Sequence, residues 1–148
     1  MSSIGSIKKL EVQMLKLIIG VKGTGKTKTL INMVNAAVES SKGDVVCIEK
    51  GVKLRYDVKY QARLINTEEF SINDATALYG FLAGIFASNH DVTDLFIDSA
   101  LKICNNNMAE FDAFVDNAGK LIEKAGVNVV ITSSIPVDEA SDIVKKYL

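Results

Sequence analysis

Eight consecutive residues, Gly20-Val21-Lys22-Gly23-Thr24-Gly25-Lys26-Thr27, combine three glycines, two lysines and two hydroxyls. They satisfy the spacing G-x-x-x-x-G-K-[ST] at every position. A run of this kind suits the holding of a polyphosphate. Gly20 lets the chain turn off a preceding strand, and Gly23 and Gly25 let the backbone approach phosphate oxygens with no Cβ in the way. Successive N–H groups, from Val21 and Lys22 on to Lys28, then form a fixed anion site at a helix start. Lys26 is expected to reach the terminal phosphates, and the Thr27 hydroxyl to ligate Mg²⁺.

Other chemistries lack their residues. His90 is the one histidine, which excludes a multi-histidine metal site within the chain. A serine-histidine-aspartate relay would have to draw on the polar stretch around it. Cys47 and Cys104 are far apart and have no C-x-x-C spacing. They read as reduced, buried small hydrophobes of a cytosolic protein.

A phosphate loop needs elements to hold it. Met14 to Gly20 is a short apolar run ending in glycine, which predicts a buried strand. From Lys26 to Ser41 the apolar residues Leu30, Met33, Val34, Ala37 and Val38 recur at helical spacing, and Gly43 follows as the stop. Val45 to Ile48 predicts a second strand closed by Glu49, and Ala62 to Ile65 a short further one. Ser71 with Asp74 predicts a capping box opening a helix through about Ser88. Leu95 to Ile97 predicts a strand ending at Asp98. Asn107 with Glu110 predicts a second capping box, before a helix closed by Gly126. Val127 to Thr132 reads as the last strand. Pro136 is placed to start a terminal helix, with Asp138 and Glu139 near its beginning and Lys145 and Lys146 near its end.

Strands thus alternate with helices, and several strands are apolar on both faces. That predicts an α/β fold of three layers, a mainly parallel sheet covered by helices on both sides. Ligands of such sheets sit beyond the carboxyl ends of the strands. Gly20, Glu49, Asp98 and Thr132-Ser133 are therefore expected to meet on one edge.

The 148 residues, at 16.0 kDa, suit one domain,. It is placed at residues 15–148, with residues 1–14 read as a leader or a non-native remnant that lacks the apolar stretch of a secretory signal. Seventeen Lys and Arg against eighteen Asp and Glu leave a net charge of −1, so no global basic field points to nucleic acid or an anionic membrane. No apolar run approaches the roughly 18 residues of a membrane span. Two local features stand apart. Residues 50–63 carry Lys50, Lys53, Arg55, Lys59 and Arg63 against Asp57 alone. The interleaved Tyr56 and Tyr60 are expected to pack inward from a solvated loop, although the pattern also suits base stacking on nucleic acid. Thr76, Gly80, Gly84 and Ser88 form a small-residue stripe, expected to pack against the sheet or a neighbouring helix, with contact to a second copy of the chain as the alternative; a protein partner elsewhere on the surface also stays open.

The loop at 20–27 resembles the Walker A motif of the P-loop NTPase superfamily, and the resemblance runs from Leu15 to Thr132. It implies a Walker B strand, which Leu95-Phe96-Ile97-Asp98 matches, with Asp98 holding the Mg²⁺ shell. Many members place a glutamate directly after that aspartate; here the position is Ser99. RecA-like and pilus-motor ATPases can carry a glutamate at the end of the second strand instead, which Glu49 resembles, making it the candidate base. Thr132 or Ser133 resembles the polar sensor of the γ-phosphate. No N-K-x-D follows, and Asp98-Ser99-Ala100-Leu101 is not D-x-x-G, so ATP is favoured over GTP. The strings KLIIGVKGTGKTKTLINM, TALYGFLAGIFA, LFIDSALKI and IVKKYL look like short bacterial ATP-binding proteins, some named after pilus motors. The histidine-rich boxes of those motors have no counterpart. The resemblance implies a cytoplasmic, Mg²⁺-dependent ATP-binding protein and slow ATPase, with Lys26, Glu49 and Asp98 as the catalytic set. The alternatives are a nucleotide-dependent switch that acts on a partner and, with only Arg55 and Arg63 to clamp phosphates, a small-molecule kinase.

Overall fold

The computed structural model describes residues 13–148, so the expected leader lies, for residues 1–12, outside the described residues. Gln13 and Met14 already join the fold: Gln13 Nε2 donates to Lys146 O (2.9 Å), and Met14 O accepts from Val129 N (2.8 Å). The strands are β1 (Leu15–Ile19), β2 (Asp44–Glu49), β3 (Arg63–Asn66), β4 (Val92–Ile97) and β5 (Asn128–Ser133). The helices are α1 (Lys26–Ser40), α2 (Ala75–Ser88), α3 (Ala100–Ile103), α4 (Met108–Ala125) and α5 (Asp142–Lys145). Short 3-10 turns cover Thr67–Phe70 and Val137–Glu139.

All described strand pairs are parallel, in the order β1-β5-β4-β2-β3. Alternation along each strand sorts the side chains onto two faces. Leu15, Leu17, Val46, Ile48, Leu95, Ile97, Val129 and Ile131 pack against α2, α4 and α5. Val45, Cys47, Phe96 and Val130 pack against α1 and against Leu54, Val58 and Ala62 of the β2–β3 connection. Both faces are covered, which is why β2 and β5 read as continuous apolar runs. Cys47 and Cys104 are buried and unpaired; burial pushes the Cys104 thiol up to about 12, so both are inert at neutral pH.

Four local expectations change. Ser71 is not a cap: it has φ 56° and closes the Thr67–Phe70 turn, while Asp74 alone caps α2, accepting from Ala77 N at 2.8 Å. The terminal helix is two pieces, because Ala140 is extended between the Val137–Glu139 turn and α5, which Ser141 caps. The stripe Thr76, Gly80, Gly84, Ser88 faces solvent, and a Cβ at Gly80 or Gly84 would meet nothing within 4 Å. Tyr56 and Tyr60 point outward, at 87% and 91% exposure. The second box holds in its first half: Asn107 accepts from Glu110 N at 3.1 Å, but Asn107 N donates to Cys104 O (3.1 Å) rather than to Glu110; Gly126 ends α4 at φ 70°.

Candidate phosphate-binding site

The loop between β1 and α1 leaves its amides open. Gly23 (φ 86°) and Gly25 (φ 82°) take up backbone angles that other residues rarely adopt,. Among the described residues, no backbone N–H from Val21 to Lys28 donates a hydrogen bond, and the first helical bond runs from Thr29 N to Gly25 O (3.0 Å). Asp74 and Asn107 cap the other two long helices, whereas Gly25 offers α1 no side-chain cap and its first turn holds no acid. Unsatisfied amides and a positive helix end remain, and both favour an anion. Lys26 Nζ donates to Val21 O (2.8 Å) and approaches Thr24 Oγ1 (3.4 Å). Thr24 Oγ1 in turn donates to Val21 O (2.7 Å), so one carbonyl accepts from both side chains.

The strand ends supply the rest. Glu49, Asp98 and Thr132 share alternation with Cys47, Phe96 and Val130, so they face the α1 side. Thr27 Oγ1 lies 3.2 and 3.4 Å from the two Asp98 carboxylate oxygens. Thr132 Oγ1 donates to Asp98 Oδ1 (2.8 Å) and accepts from Ser99 N (2.8 Å). Thr132 is 1% exposed and stands behind Asp98, away from the cleft wall. Ser133 is buried too, and its hydroxyl donates to Thr132 O (2.7 Å).

Glu49 is 2% exposed. Its Oε1 accepts from Lys53 N and its Oε2 from Leu54 N, both at 3.1 Å. Burial pushes its carboxyl above the usual carboxylate range; the Asp98 charge adds to that, and the two amides and the Lys53 charge oppose it. Glu49 thus fastens the start of the β2–β3 connection while forming part of the cleft wall.

The cleft encloses about 270 Å³. Lys22, Lys26, Lys28, Lys50, Lys53 and Lys102 line it, against the carboxylates of Glu49 and Asp98. Six cations converge on one hollow in a chain of net charge −1. Motif spacing found Lys26 and placed Lys22 and Lys28 only as residues of its loop and helix start. Lys50 and Lys53 stood out only as part of a basic stretch, and Lys102 and Ser134 carry no spacing signal. Arg55 and Arg63 do not line the cleft. A larger hollow of about 430 Å³ lies at the opposite, amino ends of the strands, between α2 and α4, and holds His90. Its walls are mostly apolar and it has no part in this chemistry.

The donors fit a hard cation. One hydroxyl and one carboxylate side by side are the partial oxygen shell that Mg²⁺ accepts when phosphates and water complete it. Among the described residues no cluster of three or more His, Cys, Asp or Glu side chains forms a protein-only cage. Nor is any described helix long and apolar enough to cross a membrane.

No protein-family model matches the chain, and no curated protein is similar to it in sequence. Solved structures do match. PCH-2 of C. elegans superposes with a TM-score of 0.56 at 13% identity, covering 95% of this chain and 35% of that one. The pCW3 conjugation coupling protein TcpA, in its monomer form with ATPgS, gives 0.53 at 14% identity, covering 90% of this chain and 46% of that one. The chain therefore spans less than half of either protein. At these identities the likeness is one of architecture: a five-stranded parallel sheet flanked by helices, the fold of the P-loop NTPases.

Proposed function

We propose that the chain is a Mg²⁺-dependent ATP-binding protein and a slow ATPase. The observation that carries this reading is the uncapped start of α1, with its open amides, in a cleft lined by six lysines. A polyphosphate is the ligand that satisfies both sets of donors. In this reading the amides of residues 21–28 hold the phosphate chain, and Lys26 leaves Val21 O to reach its terminal group. Thr27 and Asp98 hold the cation, which bridges phosphate oxygens and offsets their charge during transfer. Thr132 keeps the Asp98 carboxylate turned toward Thr27. Glu49 positions water at the cleft wall. The neighbour with ATPgS lends support to the choice of an adenine nucleotide.

One observation favours a second reading, a nucleotide-dependent switch with little hydrolysis of its own. Both Glu49 oxygens already accept backbone amides, and Ser99 follows Asp98. Such a glutamate organises a connection at least as directly as it activates water. Steady-state phosphate release separates the two. The ATPase reading expects Mg²⁺-dependent turnover that is lost in Glu49→Gln while ATP still binds. Binding without turnover, in wild type and variant alike, selects the switch. A kinase finds no support, because neither arginine reaches the cleft.

A further inference from the structure

The cleft does not use the most exposed aromatic residues of the protein. Residues 54–62 form a run of turns whose every fourth residue, Leu54, Val58 and Ala62, is buried beside α1. The run is held along its length. Glu49 grips the amides of Lys53 and Leu54, Asn35 of α1 donates to Asp57 O (2.9 Å) and accepts from Lys59 N (2.8 Å), and Lys59 pairs with Glu39. From this fixed frame Tyr56 and Tyr60 project at 87% and 91% exposure. The fold gains no burial from either ring. The Arg55 guanidinium sits 5.3 Å from the centre of the Tyr56 ring. Lys53, Arg55 and Arg63 have no ion-pair partner among the described residues, and Asp57 is the one acid of the run.

We propose that this face, centred on Tyr56, Tyr60 and Arg55, is a docking platform for single-stranded nucleic acid. The pairing of chemistries selects that partner. Rigid, solvent-facing rings offer stacking surfaces at little entropic cost, and the interleaved cations meet phosphates; unpaired bases on a charged backbone use both. An acidic protein would leave the rings idle, and an apolar one would strip water from the cations without pairing them. A duplex keeps its base faces stacked away from the tyrosines. Lys53, the residue before this run, lines the cleft, so the run begins at the cleft wall.

The test is fluorescence anisotropy of labelled oligo-dT and oligo-rU of about 15 nucleotides, and of a duplex of equal length, with the full chain at several salt concentrations. The two single strands decide between DNA and RNA. The expected result is tighter binding of at least one single strand than of the duplex. Affinity should fall about tenfold or more in the Tyr56→Ala, Tyr60→Ala double variant and persist in the corresponding phenylalanine double variant. The Arg55→Ala variant should flatten the salt dependence by about 0.7 in the log–log slope per lost phosphate contact. The chain has four tyrosines and no tryptophan, so quenching of wild-type tyrosine emission by unlabelled oligonucleotide reads stacking without any variant. Absence of single-strand binding, equal affinity for the duplex, or binding with neither quenching nor sensitivity to the tyrosine substitutions would overturn the proposal.

Discussion

Lys26 and Glu49 differ in how much of the fold depends on them. The Lys26 amine touches only exposed loop oxygens, so Lys26→Ala should leave the melting temperature nearly unchanged. Its loss should weaken ATP by about 10- to 100-fold, the worth of one charge-assisted hydrogen bond in a partly desolvated site, read by calorimetry. Glu49 is buried, and its raised carboxyl pKa makes the folded state prefer the protonated form. The stability this lends is complete below the unfolded value near 4.5 and is lost as pH rises through the higher folded value,. Urea unfolding of wild type and Glu49→Gln across that window should therefore give a wild-type curve that declines relative to the variant; parallel curves would place the carboxyl in water. At this scale the sequence is legible where a motif carries spacing. Gly20 to Thr27 and the strand-end Asp98 could be named, because backbone geometry ties each to its neighbours. Lys102 and Ser134 could not, since they reach the cleft only through the β4–α3 and β5 turns, and a lone lysine or serine has no period.

Helix ends separate local signals that act from those that only look alike. Ser71 and Asp74 together match a capping box, yet the Thr67–Phe70 turn claims Ser71 in a left-handed conformation. Asp74→Ala should therefore cost about 1 kcal/mol of stability, while Ser71→Ala should change it little, a contrast that denaturant midpoints will display. The same competition shortened the terminal helix. Val137 to Glu139 form a separate turn after Pro136, Ala140 extends, and Ser141 restarts the chain with its hydroxyl bonded to Val144 N and Asp112. Periodicity reports a helix's buried face and says little about a tertiary partner that breaks it. For Tyr56 and Tyr60, composition suggested burial, but Leu54, Val58 and Ala62 fill the inward positions of that run. The rings have no place left inside.

Across the whole molecule, the layered α/β architecture was readable because two-faced burial leaves apolar runs and one-faced burial leaves helical stripes. The strand order was not, since it rests on pairings between residues far apart, such as Ile18 with Thr132. That order has a functional consequence: β5 lies between β1 and β4, so Thr132 stands beside Asp98 and steadies it. In the proposed reading the cleft, the open helix start and the Thr27–Asp98 pair form one Mg²⁺-nucleotide site. Calorimetric titration of the full chain with ATP, at millimolar Mg²⁺ and again in EDTA, tests this most directly. One ATP should bind per chain, with clearly weaker binding once the cation is removed. Failure to bind any nucleoside triphosphate at millimolar Mg²⁺ would contradict it.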